Sequence, residues 1–493
     1  MYLTKRSCVA AKEPEGLSFD TRFSLESAQS SELQLTELAQ NIAKDQRITN
    51  TLLNERQAII IGDFILSRNT NLYTTHSQTV LARCHLPYTN GVAWFEGSEG
   101  IAHQQSWVTG LSRLSNIKQL SLLGYPVGQG LHQFSMEFNH TRLVHTYDVY
   151  AIGMIIAHNL GIRGKDFTAL RLSLLNHDLF TPACGDLMKF VDRVKYDEDE
   201  RLSQLLEDDH WIQMCRQLGI NANEPIRIAQ EKDGVLCTIR DFADTLAYVA
   251  RDLFMFQGMY PAQLSSWYEE PFDQMLEAEL RGIESGPTPF DLWQHVHRGE
   301  NDNLVFDDSD KLHKFLFARA CLFRLLYYHR QTRHVEYIIG IRMMKILLNR
   351  EILKEEDFFG HWGSDSTVLS KVQEETGYSP SGLHDGTLGK THAFENIEHA
   401  RTYIGKIVKH NPNVCGLIYT WPSATKSKVG LWSVYKDGKE SPFNVAHPEK
   451  AERIEGLMKL QNGCFGALIN KKRLLYLKPK YWKLLRELSL DVV

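Results

Sequence analysis

From about residue 107 to residue 355, apolar side chains recur at intervals of three and four, and prolines are few. No other feature constrains the chain as much. A period of 3.6 puts every third or fourth side chain on one face of a helix, and a stretch this long must pack helix on helix to bury those faces. The expectation is a compact all-helical domain over 107–355. Residues 17–70 carry similar spacing, with Leu33, Leu35, Leu38 and Ile42, then Ile59, Ile60, Ile61, Phe64 and Ile65. Residues 71–105, richer in Thr, Gly and aromatics, read as irregular or partly strand. After "EEDFFGHWGSDS" the texture changes again. "CGLIYTWPS", "KVGLWSVYKDGKESPF" and "RLLYLKPKYWKLL" are strand-like runs broken by Gly, Pro and Asp-Gly turns. The fold class is therefore mainly α: a helical and irregular N-terminal arm (1–106), the helical domain (107–355) and a smaller α+β domain (356–493).

Three helices of the central domain carry chemistry. In "TRLVHTYDVYAIGMIIAHNLG", His145 shares a face with Val149, Ile152 and Ile156. An imidazole on such a stripe is more often a hydrogen-bonded core residue than a ligand. In "LSLLNHDLFTPACGD", Leu170 and Leu174 point the same way as His177 and Asp178. A carboxylate buried at such a helix end needs a cation, a metal or donors beside it. In "TIRDFADTLAYVARDLFMF", Asp244, Tyr248 and Asp252 recur at steps of four, with Arg251 beside them and Asp241 one turn earlier. That face reads as a cleft lining, against the plainer alternative of a solvated charged face. A second His-Asp pair, His384-Asp385, sits among Pro380, Gly382 and Gly386, a turn composition, and is expected to be uninvolved.

Composition excludes several classes. A net charge of −5 argues against coating nucleic acid through bulk charge. The stretch "NKKRLLYLKPKYWK" (470–483) interleaves bases with aromatics, but an amphipathic strand and helix explains it better than contact with nucleic acid. Eight scattered cysteines rule out a zinc ribbon and argue against a disulfide framework. No apolar run is long enough to span a membrane, and the N-terminus lacks a signal peptide's core. A soluble cytoplasmic protein, assembled as a homo-oligomer, is expected.

The order of these motifs resembles the HD-domain metal-dependent phosphohydrolases, and among them the deoxynucleoside triphosphate triphosphohydrolases, over roughly residues 111–350. "LSRLSNIKQLSLLG" followed by "FNHTRLVHTYDV" is similar to that family's opening helix and Arg-x-x-His motif, here Arg142 and His145. "LLNHD" is similar to its His-Asp motif, and "DTLAYVARD" to its Asp-x-x-x-Tyr-x-x-Arg-Asp segment. The resemblance implies one divalent metal ion (Mn, Fe, Zn or Mg) on His145, His177, Asp178 and Asp244. Two imidazoles and two carboxylates suit such an ion. It further implies Arg142 on phosphate oxygens, Tyr248 and Asp252 facing a nucleotide sugar, and Arg324, in "FRLLYYHRQTRHVEYIIGIRMM", near the phosphates. "GSDSTVLSKV" is similar to the short acidic turn and helix that follow.

The chain departs from the family around its proton-transfer groups. After the His-Asp pair the usual glycine and histidines are replaced, with Phe180, Thr181 and Asp186 in their places. Where the triphosphohydrolases have a His-Glu-x-x-Ser segment, this chain reads "YDEDERLSQ", which puts Asp199 at the histidine. Asp199, or a histidine moving in such as His210, is the expected proton-handling group, unless the segment is merely a solvated loop. The function expected is hydrolysis of a nucleotide, of the (deoxy)nucleoside triphosphate class, by water attack at phosphorus. The alternatives are a catalytically impaired nucleotide sensor and an HD-type phosphodiesterase or nuclease.

Overall fold

Helix α1 (Arg142–Asn159) occupies the centre of the molecule, because its sequence is apolar nearly all round and almost every side chain on it is buried. The computed structural model describes residues 110–120, 140–231, 233–259, 268, 270–283, 292–329, 332–333, 336, 343–360, 362–377, 391–394, 396–411, 413–420, 427–459 and 464–470, and the backbone of short strands between 64 and 95. Thr141 caps the start of α1, its hydroxyl accepting from the Val144 N–H. Gly161 ends it. With φ at +71° it lets the Gly161 N–H reach the His158 carbonyl and the Ile162 N–H reach that of Ala157, a Schellman closure.

Helix α2 (Gly164–Asn176) then folds back on α1 at close range. A Cβ at Gly153 would stand 2.5 Å from both methyls of Leu174, so a larger residue there would have to displace that side chain. Short helices α3 (Leu187–Val191), α4 (Glu198–Arg201), α5 (Asp209–Gln217) and α6 (Glu224–Gln230) lead to α7 (Val235–Gly258). Helix α7 runs free of proline, and it covers the other side of α1. Helices α8 (Pro271–Arg281) and α9 (Ser309–Leu322) complete the helical layer, and α9 widens into a π turn over Phe323–Tyr327. The chain is thus mainly α over the expected stretch.

The strands lie around this layer. Backbone pairing places β1 (Phe64–Ser67), β2 (Arg83–Leu86) and β3 (Gly91–Phe95) in one antiparallel sheet with β3 in the middle. Phe64 and Ile65, expected on a helix, therefore lie in a strand. Ladder pairing with β3 prevails over the local apolar spacing there. The other sequence expectations for 1–63 lie outside the described residues.

A four-stranded sheet joins β4 (Val296–Arg298) and β5 (Leu304–Phe306) to two strands from far along the chain, β8 (Ser433–Lys436) and β9 (Lys439–Pro442). Strand β8 runs parallel to β5, with Ser433 opposite Val305 and Val434 opposite Phe306. Helix α10 (Asp365–Thr376) follows the helical layer, and α11 (Ile397–His410) backs a separate antiparallel sheet of β6 (Thr391–Phe394), β7 (Val414–Thr420) and β10 (Cys464–Asn470), with β10 central. Residues 427–459, ending in α12 (Pro448–Lys459), do not stand apart from the helices. Trp432, Val434, Phe443, Ile454 and Leu457 belong to the same buried core as α1, α2 and α7. Phe242 of α7 sits at that junction, with ring centroids 4.9 Å from Phe306, 5.8 Å from Phe315 and 5.4 Å from Trp432.

Candidate metal centre

His145 lies one turn into α1, so its ring points along the helix face that meets α2 and α7. His177 and Asp178 follow directly on the last turn of α2, and Asp244 lies in the middle of α7. One ligand atom from each of His145, His177 and Asp178 comes within 4.8 Å of the others, and all three residues are buried. His145 Nε2 is 3.0 Å from Asp244 Oδ1 and 3.9 Å from Asp178 Oδ2, and His177 Nε2 is 3.8 Å from Asp178 Oδ2. The two rings meet edge to face with centroids 5.5 Å apart. Among the described residues this is the one cluster with the spacing of metal ligands.

His177 shows how the site is prepared. Its Nδ1 lies 2.8 Å from the Leu174 carbonyl, an oxygen that can only accept, so Nδ1 carries the hydrogen and Nε2 presents a lone pair. That Nε2 is buried and meets no hydrogen-bond partner among the described residues. A buried acceptor without a partner is costly, and a cation at the cluster removes the cost.

Charge is arranged to match. Burial would raise Asp178, yet Arg142, His177 and His145 hold its carboxyl below the usual range. Burial would also depress His145, but the Asp244 hydrogen bond and the charges of Asp244 and Asp178 outweigh it, and its pKa rises. For His177 burial prevails and the pKa falls, which keeps the imidazole neutral, the form that ligates. Two imidazoles and two carboxylates are a donor set that fits a divalent ion of the Mn, Fe, Zn or Mg group.

The loop after the His-Asp pair is clamped from two sides. The buried Arg113 donates to the carbonyls of Leu179 (2.9 Å), Thr181 (2.7 Å) and Phe358 (3.1 Å). Asp365, at the start of α10 and fully buried, accepts from the N–H groups of Cys184 (2.6 Å) and Lys118 (2.8 Å). Cys184 is held there with φ at +67°. These contacts explain why "LSRLSN" and "GSDS", distant in sequence, accompany the His-Asp motif.

The remaining sequence-derived candidates divide. Arg142 joins the centre, but its fork is engaged: Nη1 lies 3.1 Å from Asp178 and Nη2 2.8 Å from Asp186. Tyr248 accepts a hydrogen bond from Arg319 Nε (2.7 Å) and lies near Tyr327, centroids 6.3 Å apart. Asp252 is completely enclosed. Tyr327 donates to it at 2.5 Å, His140 Nε2 stands 3.4 Å away, and burial pushes its pKa up to about 7. Arg324 lies elsewhere, its Nε 2.7 Å from Asp273 of α8, and the arginine on Tyr248 is Arg319. Asp241 is engaged by Lys428, at 3.0 and 3.2 Å, which leaves Asp244 as the α7 carboxylate at the cluster. His210 is exposed at the start of α5 and does not join the centre. Asp199 is half-buried on α4, with its carbonyl accepting from Gln230. The residue of that segment turned inward is its neighbour Glu198, 8% exposed. His384-Asp385 and residues 471–483 lie outside the described residues.

Sequence reasoning missed Glu198, Lys189, Arg319, Tyr327, His140 and Lys428. Tyr327 and Arg319 lie within or beside the arginine- and tyrosine-bearing stretch already singled out. Lys428 carried no signal, since it arrives from more than 180 residues along the chain.

The fold and the cluster together define a class: a helical domain with a buried cluster of His145, His177 and Asp178, and with Asp244 of a third helix on His145. No family model matches the sequence, and no curated protein matches it. Solved structures do. A hypothetical protein from Aquifex aeolicus superposes with a TM-score of 0.54 at 17% identity, covering 82% of this chain and 100% of that one. A phosphohydrolase from Bacteroides thetaiotaomicron superposes with a TM-score of 0.53 at 14% identity, covering 79% of this chain and 100% of that one. The chain shares their fold.

Proposed function

We propose that the protein is an HD-type, metal-dependent phosphohydrolase acting on a nucleotide, of the (deoxy)nucleoside triphosphate class. The observation that carries this reading is the convergence of His145, His177 and Asp178 from two helices, with Asp244 of a third on His145, around a buried imidazole nitrogen that lacks a partner. The structural neighbour named a phosphohydrolase supports it. His145, His177, Asp178 and Asp244 would hold the ion. When bound, such an ion acidifies a coordinated water and offsets charge building on a phosphoryl group.

The chain's own residues do the rest. Arg142 keeps Asp178 ionised and aimed, and Asp186 fixes the other arm of that guanidinium. Tyr248, one turn beyond Asp244, accepts from Arg319 of α9, and the two would meet hydroxyl and anionic groups of a substrate. Tyr327 and Asp252 brace the tyrosine from below.

The test is release of phosphate, triphosphate or nucleoside by the metal-loaded full chain from deoxynucleotides, ribonucleotides and phosphodiesters. His177→Ala should abolish whichever activity is found. Turnover that survives His177→Ala contradicts the assignment. A second reading, a nucleotide sensor without turnover, is favoured by the complete enclosure of Asp252. It takes the lead if the wild type binds metal and nucleotide but hydrolyses nothing in the panel.

A further inference from the structure

Glu198 is the buried carboxyl that the metal centre leaves unexplained. It opens α4, a single turn capped by Asp197, and points away from solvent. Its Oε1 accepts from Lys189 Nζ of α3 at 2.5 Å. Its Oε2 is buried and has no hydrogen-bond partner among the described residues. The same lysine lies 3.3 Å from Asp186 Oδ1, and Asp186 Oδ2 takes the Arg142 arm whose other nitrogen holds Asp178. Glu198, Lys189, Asp186, Arg142 and Asp178 thus form one polar chain that ends at the metal cluster.

A buried carboxyl held at one oxygen and unpartnered at the other keeps a place for a proton. Lys189 steadies the side chain without taking that open oxygen. The charged groups facing Glu198 are Lys189, which favours its ionised form, and Asp186, Asp178 and Asp199, which oppose it. Asp199, one residue on, is half-buried and belongs to the side of α4 that meets α6.

We propose that Glu198 is the general acid of the reaction, donating the proton that the leaving oxygen needs. The role rests on the phosphohydrolase reading given above. As the bond from phosphorus to the leaving oxygen breaks, its electron pair stays on that oxygen, which takes the Glu198 proton. The attacking water's oxygen bonds to phosphorus, and the proton that water sheds restores the Glu198 carboxyl. One water is consumed and the enzyme is regenerated. Burial, with the nearby acids, pushes the Glu198 pKa up to about 7, so a protonated fraction is present at neutral pH.

The test compares two substrates on the metal-loaded full chain. Thymidine triphosphate has an alkoxide leaving group that needs a proton, whereas bis(p-nitrophenyl) phosphate releases a nitrophenolate that does not. Glu198→Gln keeps the oxygen that accepts from Lys189 and removes the acid. We expect it to lose about 100-fold or more in kcat on the nucleotide, less than about 10-fold on the nitrophenyl ester, and no bound metal. The alkaline limb of the kcat/KM profile should vanish with it. Glu198→Asp, which keeps an acid one methylene shorter, should recover the limb in part, and it serves if Glu198→Gln does not fold. Equal losses on both esters would reduce Glu198 to a structural carboxyl and overturn the role alone. A wild type active on neither substrate, nor on any other in the panel, overturns the phosphohydrolase reading and this role with it.

Discussion

His177 and Asp252 show opposite ways of burying a titratable group. His177 is neutral with one nitrogen satisfied and one open, a state that gains from a bound cation. Asp252 is sealed with Tyr327 donating to it, and burial raises its pKa to about 7. An acid whose pKa is higher folded than unfolded binds more protons in the native state, so stability falls as pH rises between the two values. The Asp252 contribution is therefore fully present below about pH 4, the unfolded value, and lost as pH rises through about 7. Asp252→Asn, which keeps an acceptor for Tyr327, should raise the urea midpoint at pH 8 relative to wild type and change it little at pH 4. A variant less stable than wild type at pH 8 would show that the ionised carboxyl is welcome there. His145, His177 and Asp178 were legible as inward-facing residues through helical spacing, whereas Asp244 was picked out as their companion through the resemblance of its motif to a known family. Glu198 was not. Asp197, Glu198, Asp199 and Glu200 offer the same chemistry in a row, and which one turns inward depends on where a single-turn helix begins. That start is set by the Asp197 cap, a local geometry that composition does not encode.

Helix α1 carries most of the geometry at the level of elements, because it contacts both helices that bring residues to the cluster. Its approach to α2 depends on Gly153, where an added Cβ would meet Leu174 at 2.5 Å. Gly153→Ala should cost about 1–3 kcal/mol in chemical denaturation, and Leu174→Ala in the same chain should recover part of it. Additive losses from the two substitutions would contradict the contact. Arg113 acts at the same scale, since its guanidinium holds three carbonyls around the His-Asp loop. Arg113→Ala should destabilise by about 2–4 kcal/mol, the cost of leaving buried acceptors unpaired, and should lower metal affinity more than Gly153→Ala does. A destabilised variant with unchanged metal affinity would separate the loop from the centre. The helices themselves were readable from their 3.6 period. The parallel pairing of β8 with β5 was not, because strands more than 120 residues apart leave no local pattern to mark which edge they join.

For the molecule as a whole, residues 427–459 are built into the helical core. Trp432 packs on Phe242, and Lys428 holds Asp241 and Thr245, three residues and one residue from Asp244. Lys428→Ala would leave Asp241 largely buried without its cation, at a cost of about 3 kcal/mol, and Asp241→Asn in the same chain should restore most of it. No restoration would mean that the lysine acts through its contact with Trp432 instead. Among the described residues no helix is long and apolar enough to cross a membrane. Metal content tests, without reference to any substrate, whether His145, His177, Asp178 and Asp244 form one metal centre. Wild type and His177→Ala, purified alike and equilibrated with Mn, Fe, Zn or Mg, would be compared by elemental analysis per folded chain. A shared centre should hold close to one ion tightly in the wild type for at least one of these metals, and lose it in His177→Ala with the helical content unchanged. An ion retained by His177→Ala, or no ion held by the wild type with any of the four, would contradict it.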